Sequence, residues 1–331
     1  MKAYFIALVV SLASFTSATS SPRTPKSSRT TRTISLIFTG DILLDRGVRK
    51  AMEQRGPDHL FTQQMDSLLH SADVVIGNLE CPTTKIQAPV QKMFIFRAEP
   101  QWLLTLKQHG FTHLNLANNH SIDQGRKGLM DTRQNIHKAG MVPVGAGANM
   151  AEAAEPVLLT SHPRKVWLIA SLRLALENYA YLPDRPCVSQ EPTDSLLSRI
   201  RRIKHDDPQA VVLVSLHWGA EHTLQPVPSQ RLEAHRIINA GADALICHHT
   251  HTLQSVEHYR GHDIYYSIGN FIFDQQKPLN SKACVVKVEV SKDNIKTTPI
   301  AIQITRCVPH ITSPRQQSLA FTPLTSQTCI H

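Results

Sequence analysis

An α/β layered domain is what this sequence predicts, and three patterns carry the prediction. Short β-branched or aliphatic runs alternate with amphipathic stretches through the first three quarters of the chain. Chemistry-bearing residues gather where those runs end, the edge at which open α/β sheets place their sites. From Leu253 onward the alternation gives way to hairpin spacing.

The apolar runs are 34–38, 73–76, 113–116, 166–170, 210–216 and 244–247. Residues 211–216 are apolar almost without break, the pattern of a fully buried strand. Between the runs, 99–109, 125–139, 193–204 and 229–239 show helical spacing, and Gly110, Gly140 and Gly241 are placed as C-terminal stops. Hairpins are expected from 256–259 with 264–268 and from 284–290 with 297–304, turning at 260–261 and 292–294. No internal repeat interrupts this order. One domain, 34–308, followed by a polar C-terminal tail, 309–331, is the division that results.

Ahead of that domain, Lys2, an apolar stretch over 3–15 and the small residues Ser17, Ala18, Thr19 and Ser20 read as a secretory signal peptide, residues 1–20. The stretch is short of the ~20 apolar residues a membrane-spanning helix needs. Residues 21–33 contain only Ser, Pro, Thr, Arg and Lys and cannot bury apolar surface, so a disordered basic tail is expected. The formal net charge is +9, and removing Lys2 leaves 9 − 1 = 8, of which Arg23, Lys26, Arg29 and Arg32 supply four. The folded part is only mildly basic. With 6% aromatic residues and no aromatic-and-basic strand pattern, no nucleic-acid partner is expected. An exported protein is expected, periplasmic, secreted or envelope-associated, whose basic tail meets anionic lipid or envelope polymer. The six Cys residues show no zinc-type spacing, and both paired and buried thiols fit them.

Of 18 His, nine lie between His205 and His262, a clustering suited to metal or proton chemistry. Asp41 ends the first run; Gly77-Asn78-Leu79-Glu80 brings an amide and a carboxylate after the second; Asn118-Asn119-His120 follows the third. The 210–216 run ends in His217-Trp218-Gly219, and 244–247 leads into His248-His249-Thr250-His251. His249 and His251, two apart, share a face if locally extended and aim two imidazoles at one ion or at neighbouring ions. Zinc, manganese and iron all suit mixed His, Asn and carboxylate ligands.

The ordered set Thr39-Gly40-Asp41, Gly77-Asn78-Leu79-Glu80, Asn118-Asn119-His120 with Asp123 and Gly125, Gly145-Ala146-Gly147, His217-Trp218-Gly219, Gly241-Ala242-Asp243, His248-His249-Thr250-His251 and Tyr266-Ser267-Ile268-Gly269-Asn270-Phe271 resembles the CapA-type capsule-synthesis family associated with poly-γ-glutamate. The match spans roughly 36–275. That family is similar to calcineurin-like metallophosphoesterases, so the resemblance implies a layered β-sandwich flanked by helices (α/β/β/α) around a two-metal site. It implies Asp41, Glu80, Asn119, His217, His249 and His251 as metal ligands, with His120 and Asp123 catalytic and Asn270 at the substrate. Arg46, just after the first strand, is a candidate bidentate partner for a substrate phosphate or carboxylate. The chain departs from the superfamily pattern where Asp-x-His is usual: Asp41-Ile42-Leu43 puts an apolar side chain in place of the His. The second motif, with Asn78 and Glu80, also departs.

Two functions follow. One is an exported metal-dependent hydrolase or transferase, with one or two divalent transition-metal ions, acting on a phosphoester or a γ-glutamyl-type amide; His120 would serve the leaving group. The other is a non-catalytic accessory protein that binds an acidic envelope polymer during assembly or export, which Leu43 and the basic tail favour.

Overall fold

The computed structural model describes Met1 and residues 33–176, 180–275 and 277–321. The expected signal peptide and basic tail lie outside the described residues except for Met1 and Thr33, as do residues 322–331 of the expected C-terminal tail. All elements fall within one unit, Arg32–His331. They begin with β1 (Ile34–Ile42), α1 (Arg46–Arg55), a 3₁₀ turn (Pro57–Leu60), α2 (Gln63–His70), β2 (Val74–Leu79), α3 (Trp102–Gln108), β3 (His113–Asn115) and α4 (Gly125–Lys138). There follow β4 (Val142–Val144), β5 (Ala146–Gly147), α5 (Met150–Ala153), β6 (Val157–Thr160), β7 (Val166–Leu172), β8 (Cys187–Val188), α6 (Thr193–Asp206), β9 (Val211–His217) and α7 (Pro228–Asn239). The last part holds β10 (Ala244–Ile246), β11 (Val256–Tyr259), β12 (His262–Tyr265), β13 (Asn270–Ile272), β14 (Lys282–Val290), β15 (Ile295–Thr305), β16 (Val308–Ile311) and α8 (Pro314–Ala320).

Two large sheets result. The first runs β16-β15-β14-β1-β2-β3-β4, with β13 also paired to β1; the second runs β11-β12-β10-β9-β7-β6. Alternation along each strand decides the layers, because successive side chains leave opposite faces. Leu36 and Phe38 of β1, Val286 and Val288 of β14, Leu168 of β7 and Leu213 of β9 share one fully apolar cluster, so the sheets pack face to face through it. Ile37 of β1 and Val75 of β2 turn the other way, into a cluster with Met52, Leu69, Leu106 and Leu129 of the first four helices. Val212 and Val214 of β9 do the same with Leu196 and Ile200 of α6 and Ile237 of α7. The architecture is therefore α/β/β/α, the layered metallophosphoesterase-type fold that the sequence led one to expect. Each side chain buried in these clusters contributes roughly 1.5–3 kcal/mol before entropy is counted.

The sequence boundary at 308 needs correction. β16 pairs with β15 from Thr305↔Val308 to Ile302↔Ile311, and Ala301 N donates to Gln317 Oε1 of α8, so the ordered chain runs past 308. Helices α1 and α2 escaped the sequence reading because each buries only two side chains, Val48 and Met52, and Met65 and Leu69. Polar caps supply the rest: Asp45 accepts from Arg46 N, and Thr62 accepts from Met65 N. The five described cysteines are free thiols, four of them buried. Among the described residues no helix is long and apolar enough to cross a membrane.

Parallel pairing then positions the chemistry. β1, β2, β3 and β4 run parallel, as do β7, β9, β10 and β12, so the C-terminal ends within each sheet share an edge.

Candidate metal centre

Asp41 reaches the edge on β1, in register with Asn78 of β2 on one side and Asn270 of β13 on the other. Gly40 makes that placement feasible. A Cβ there would lie 2.1 Å from Gly269 O, whereas the bare backbone lets Asp41 N donate to the same carbonyl at 3.1 Å. Glu80 follows β2, Asn119 and His120 follow β3, His217 ends β9, and His248 to His251 follow β10. His249 and His251 arrive by a route the sequence did not show. They are not extended; both adopt positive φ, 98° and 55°, a left-handed backbone costing roughly 1–2 kcal/mol per non-glycine residue. Their rings end 6.1 Å apart.

The six expected ligands converge. Asp41, Glu80 and His251 form one group whose potential donor atoms lie within 4.8 Å of one another, and Glu80, His217 and His249 form a second. Glu80 belongs to both. Its Oε1 lies 3.6 Å from His217 Nε2 and 3.9 Å from His251 Nε2, while His251 Nδ1 is 3.3 Å from Asp41 Oδ2. Asn119 Oδ1 joins the second group at 2.9 Å from His217 Nε2. All are buried, and neither Glu80 oxygen has a hydrogen-bond partner among the described residues. Buried carboxylate oxygens almost always find donors, and leaving one bare costs about 1–3 kcal/mol or more. Two bare oxygens flanked by imidazole nitrogens fit a cation, and the donor set of carboxylate, amide oxygen and imidazole suits a divalent transition metal.

Electrostatics point the same way. Burial would raise the Asp41 carboxyl, but the hydrogen bond and charge of His251, with His248 and Asn78, hold it below its ordinary value. Burial and then the charge of Asp41 push Glu80 well above its own. Burial pulls His251 down, yet Glu80 and Asp41 outweigh it and lift the imidazole to about 9. Burial and the neighbouring His249 keep His217 well below the usual range, and burial with His251 takes His249 to about 3. In the metal-free protein a proton on His251 therefore supplies positive charge between the buried Asp41 and Glu80 side chains, while His217 and His249 stand neutral.

Leu43, in place of the usual His, is fully buried in the apolar cluster under the helices. The first group nonetheless keeps three donors, and the second has four once Asn119 is counted.

The remaining sequence candidates have different surroundings from those expected. Asp123 is fully buried and accepts from His120 Nδ1 and Phe96 N, both at 2.8 Å, so it orients His120 rather than meeting a substrate. Asn270 Oδ1 lies 2.9 Å from His251 Nδ1, and its amide donates to Gln275 and the Asn280 carbonyl; it fixes His251. Arg46 spends its fork on Asp274, through Nε at 3.2 Å and a second bond from Nη2, with its guanidinium 5.1 Å from the Phe96 ring centroid. A carboxylate of the chain itself fills the role expected of a substrate anion.

Sequence reasoning missed Lys92. Its side chain is 3% exposed, pairs with Asp123 Oδ1 at 2.8 Å, donates to Asn119 O at 3.0 Å and lies 3.3 Å from His120 Nδ1. Asn78, quoted but not assigned a role, donates to Asp41 Oδ1 at 2.7 Å and accepts from Asn115 at 3.1 Å, bracing the edge.

Residues 35–275 match the family model described as bacterial capsule synthesis protein PGA_cap. The chain is 32% identical over 276 residues to the PGA biosynthesis protein CapA of Bacillus subtilis (strain 168), covering 81% of this chain and 72% of that one. It is 30% identical over 307 residues to the capsule biosynthesis protein CapA of Bacillus anthracis, covering 89% and 74%. Among solved structures it is similar to a Staphylococcus aureus protein described as a candidate 5'-nucleotidase, in complex with α-ketoglutarate. There the TM-score is 0.53 at 13% identity, over 86% of this chain and 55% of that one, a likeness of fold.

Proposed function

The chain belongs to the bacterial capsule synthesis protein family PGA_cap, and from that premise we propose that it is an exported, metal-dependent hydrolase or transferase in the making of an acidic envelope polymer, acting on a phosphoester or γ-glutamyl-type amide bond. The observation that carries the reading is Glu80, shared by two groups of potential metal ligands and bare at both oxygens. Asp41, Glu80 and His251 would hold one ion and Glu80, Asn119, His217 and His249 the other. A divalent ion bound there supplies Lewis acidity and an acidified water.

The chain's own residues do the rest. His120 has Nδ1 committed to Asp123, so Nε2 is the atom that carries the moving proton. Lys92 holds Asp123 and the Asn119 carbonyl together, which keeps the proton carrier and a ligand in one frame. Asn270 and Asn78 hold His251 and Asp41 at fixed angles, as partners of metal ligands do. Export is supported by the short apolar stretch over 3–15 ending in small residues.

Leu43 favours a second reading, a polymer-binding accessory protein without catalysis. Metal-loaded chain assayed on a phosphodiester and on a γ-glutamyl anilide separates the two. Turnover that disappears in His120→Ala supports the enzyme; no turnover on either substrate with full metal content supports the accessory role.

A further inference from the structure

We propose that His222 is a substrate-binding imidazole of the metal centre whose Nε2–H donates to a negatively charged substrate oxygen, an inference that rests on the reading of that centre as catalytic. His120 comes to the site from the first sheet, after β3, and His222 from the second, in the loop that follows β9. Five residues separate His222 from the ligand candidate His217. Gly219 turns the chain between them at a φ of 95°, where a Cβ would also lie 2.7 Å from Gln230 Nε2. After that turn His222 N donates to Thr250 O at 2.8 Å, and the His222 ring centroid stands 6.4 Å from that of His251. His222 itself is held at a φ of 60°, a left-handed backbone that residues other than glycine seldom adopt.

One buried amide fixes the tautomer. Asn280 is 1% exposed, and its Nδ2 lies 2.8 Å from His251 O and 2.9 Å from His222 Nδ1. A carbonyl oxygen can only accept, so the end of the amide that faces His251 O is the NH₂, and the same NH₂ gives its other hydrogen bond to His222 Nδ1. With Nδ1 an acceptor, the proton of the neutral ring sits on Nε2. Glu221 Oε2 is 3.6 Å from that nitrogen, too far for a hydrogen bond, so among the described residues the N–H is not spent inside the protein. The side chain is 37% exposed, open to a ligand.

His120 is the converse case. Its Nδ1 faces the Asp123 carboxylate, an acceptor, and so holds a proton, which leaves Nε2 as the end that takes one up or gives it away. The two imidazoles thus offer different chemistry to one bound molecule, a proton carrier from one sheet and a standing donor from the other. A phosphoester or an amide under attack gathers negative charge on an oxygen, and a pre-placed N–H within reach of that charge stabilises it.

Two substitutions separate a substrate donor from a structural link. An Asn amide reaches the place of Nδ1 and tolerates the left-handed backbone, so His222→Asn keeps the contact with Asn280 and removes the outer donor. A Gln amide reaches the place of Nε2, so His222→Gln restores that donor. Parent and variants would be compared by elemental analysis, by calorimetric titration of the metal-loaded full chain with orthophosphate, a tetrahedral oxyanion, and by turnover of a phosphodiester and a γ-glutamyl anilide. Parental metal content is expected in both variants. Orthophosphate affinity and kcat/KM should each fall about tenfold in His222→Asn, the loss of one hydrogen bond to a charged group, and most of both should return in His222→Gln. Parental affinity in His222→Asn, a greater loss in His222→Gln than in His222→Asn, loss of metal from either variant, or a loaded parent that binds no orthophosphate would overturn the proposal. Turnover by the parent that His222→Asn matches would overturn it and leave the catalytic reading. A loaded parent that turns over neither substrate, with orthophosphate binding that still falls in His222→Asn, would overturn the catalytic reading and leave His222 as an anion donor; a parent that takes up no metal would overturn both.

Discussion

Replacing Glu80 by Gln removes the charge that both ligand groups share while nearly conserving shape. In the metal-free protein Glu80 is pushed well above its ordinary pKa by burial and by Asp41. A carboxyl whose folded pKa is raised gives its full stability below the unfolded value, 4.5, and loses it as pH rises. At pH 7.5 the metal-free parent bears that loss, and Gln does not. Metal-free Glu80→Gln should therefore melt at or above the metal-free parent. The loaded forms should reverse the order. An ion at 100 times its dissociation constant stabilises the folded chain by about 2.7 kcal/mol, which at about 2 °C per kcal/mol for a chain of this size is a rise of about 5 °C. The variant, without the shared ligand, should show almost none of it. Scanning fluorimetry after chelation, then with zinc, manganese and ferrous ions in turn, reads both halves. A parental metal-dependent rise in the variant, or a chelated variant melting several degrees below the chelated parent, would show that Glu80 is not the shared ligand.

Lys92→Met should leave the metal content near parental but cut turnover by about two orders of magnitude, the lower end of what loss of a positioned proton carrier costs, with partial rescue by Lys92→Arg; elemental analysis beside kinetics checks it. Arg46→Ala should lower stability by about 1–3 kcal/mol by leaving Asp274 without its fork, visible in urea denaturation, and should change KM little because the guanidinium is already paired. His113 is held by burial at about 4, below its ordinary 6.5. Above pH 6.5 it is neutral folded or unfolded; between 6.5 and 4 only the unfolded chain takes the proton, so acidification costs stability, up to about 3 kcal/mol at 1.36 kcal/mol per pH unit. Metal-free His113→Leu should lose less stability than the metal-free parent from pH 7 to 4.5; parallel pH curves would contradict the assignment.

Much of this was legible because strand ends are legible. Asp41, Glu80, His217 and His249 each stand just beyond an apolar run, and parallel pairing turns that one-dimensional fact into one edge. What pairing partners decide was not legible. Lys92 lies in an irregular stretch with no periodicity, and its burial is made tolerable by Asp123, 31 residues on, and the Asn119 carbonyl. Arg46 looks free until Asp274, 228 residues away, closes on it. The left-handed turn at His249 and His251 was hidden for another reason: sequence pattern marks glycine at positive φ, and imidazoles are held there only by the packed site. Helices α1 and α2 each offer only one buried pair four residues apart, Val48 with Met52 and Met65 with Leu69, in short and otherwise polar segments.

Metal stoichiometry reports whether Glu80 is shared by two metal positions. The full chain, purified without chelator or polyhistidine tag and saturated in turn with zinc, manganese and ferrous ions, would be desalted and assayed by elemental analysis. About two ions per chain are predicted with at least one of these metals, falling to about one in Asp41→Ala, which empties only the first group, and close to zero in Glu80→Gln. Near-zero content in the parent with all three metals, or full content in Glu80→Gln, would mean that Glu80 does not join two metal positions.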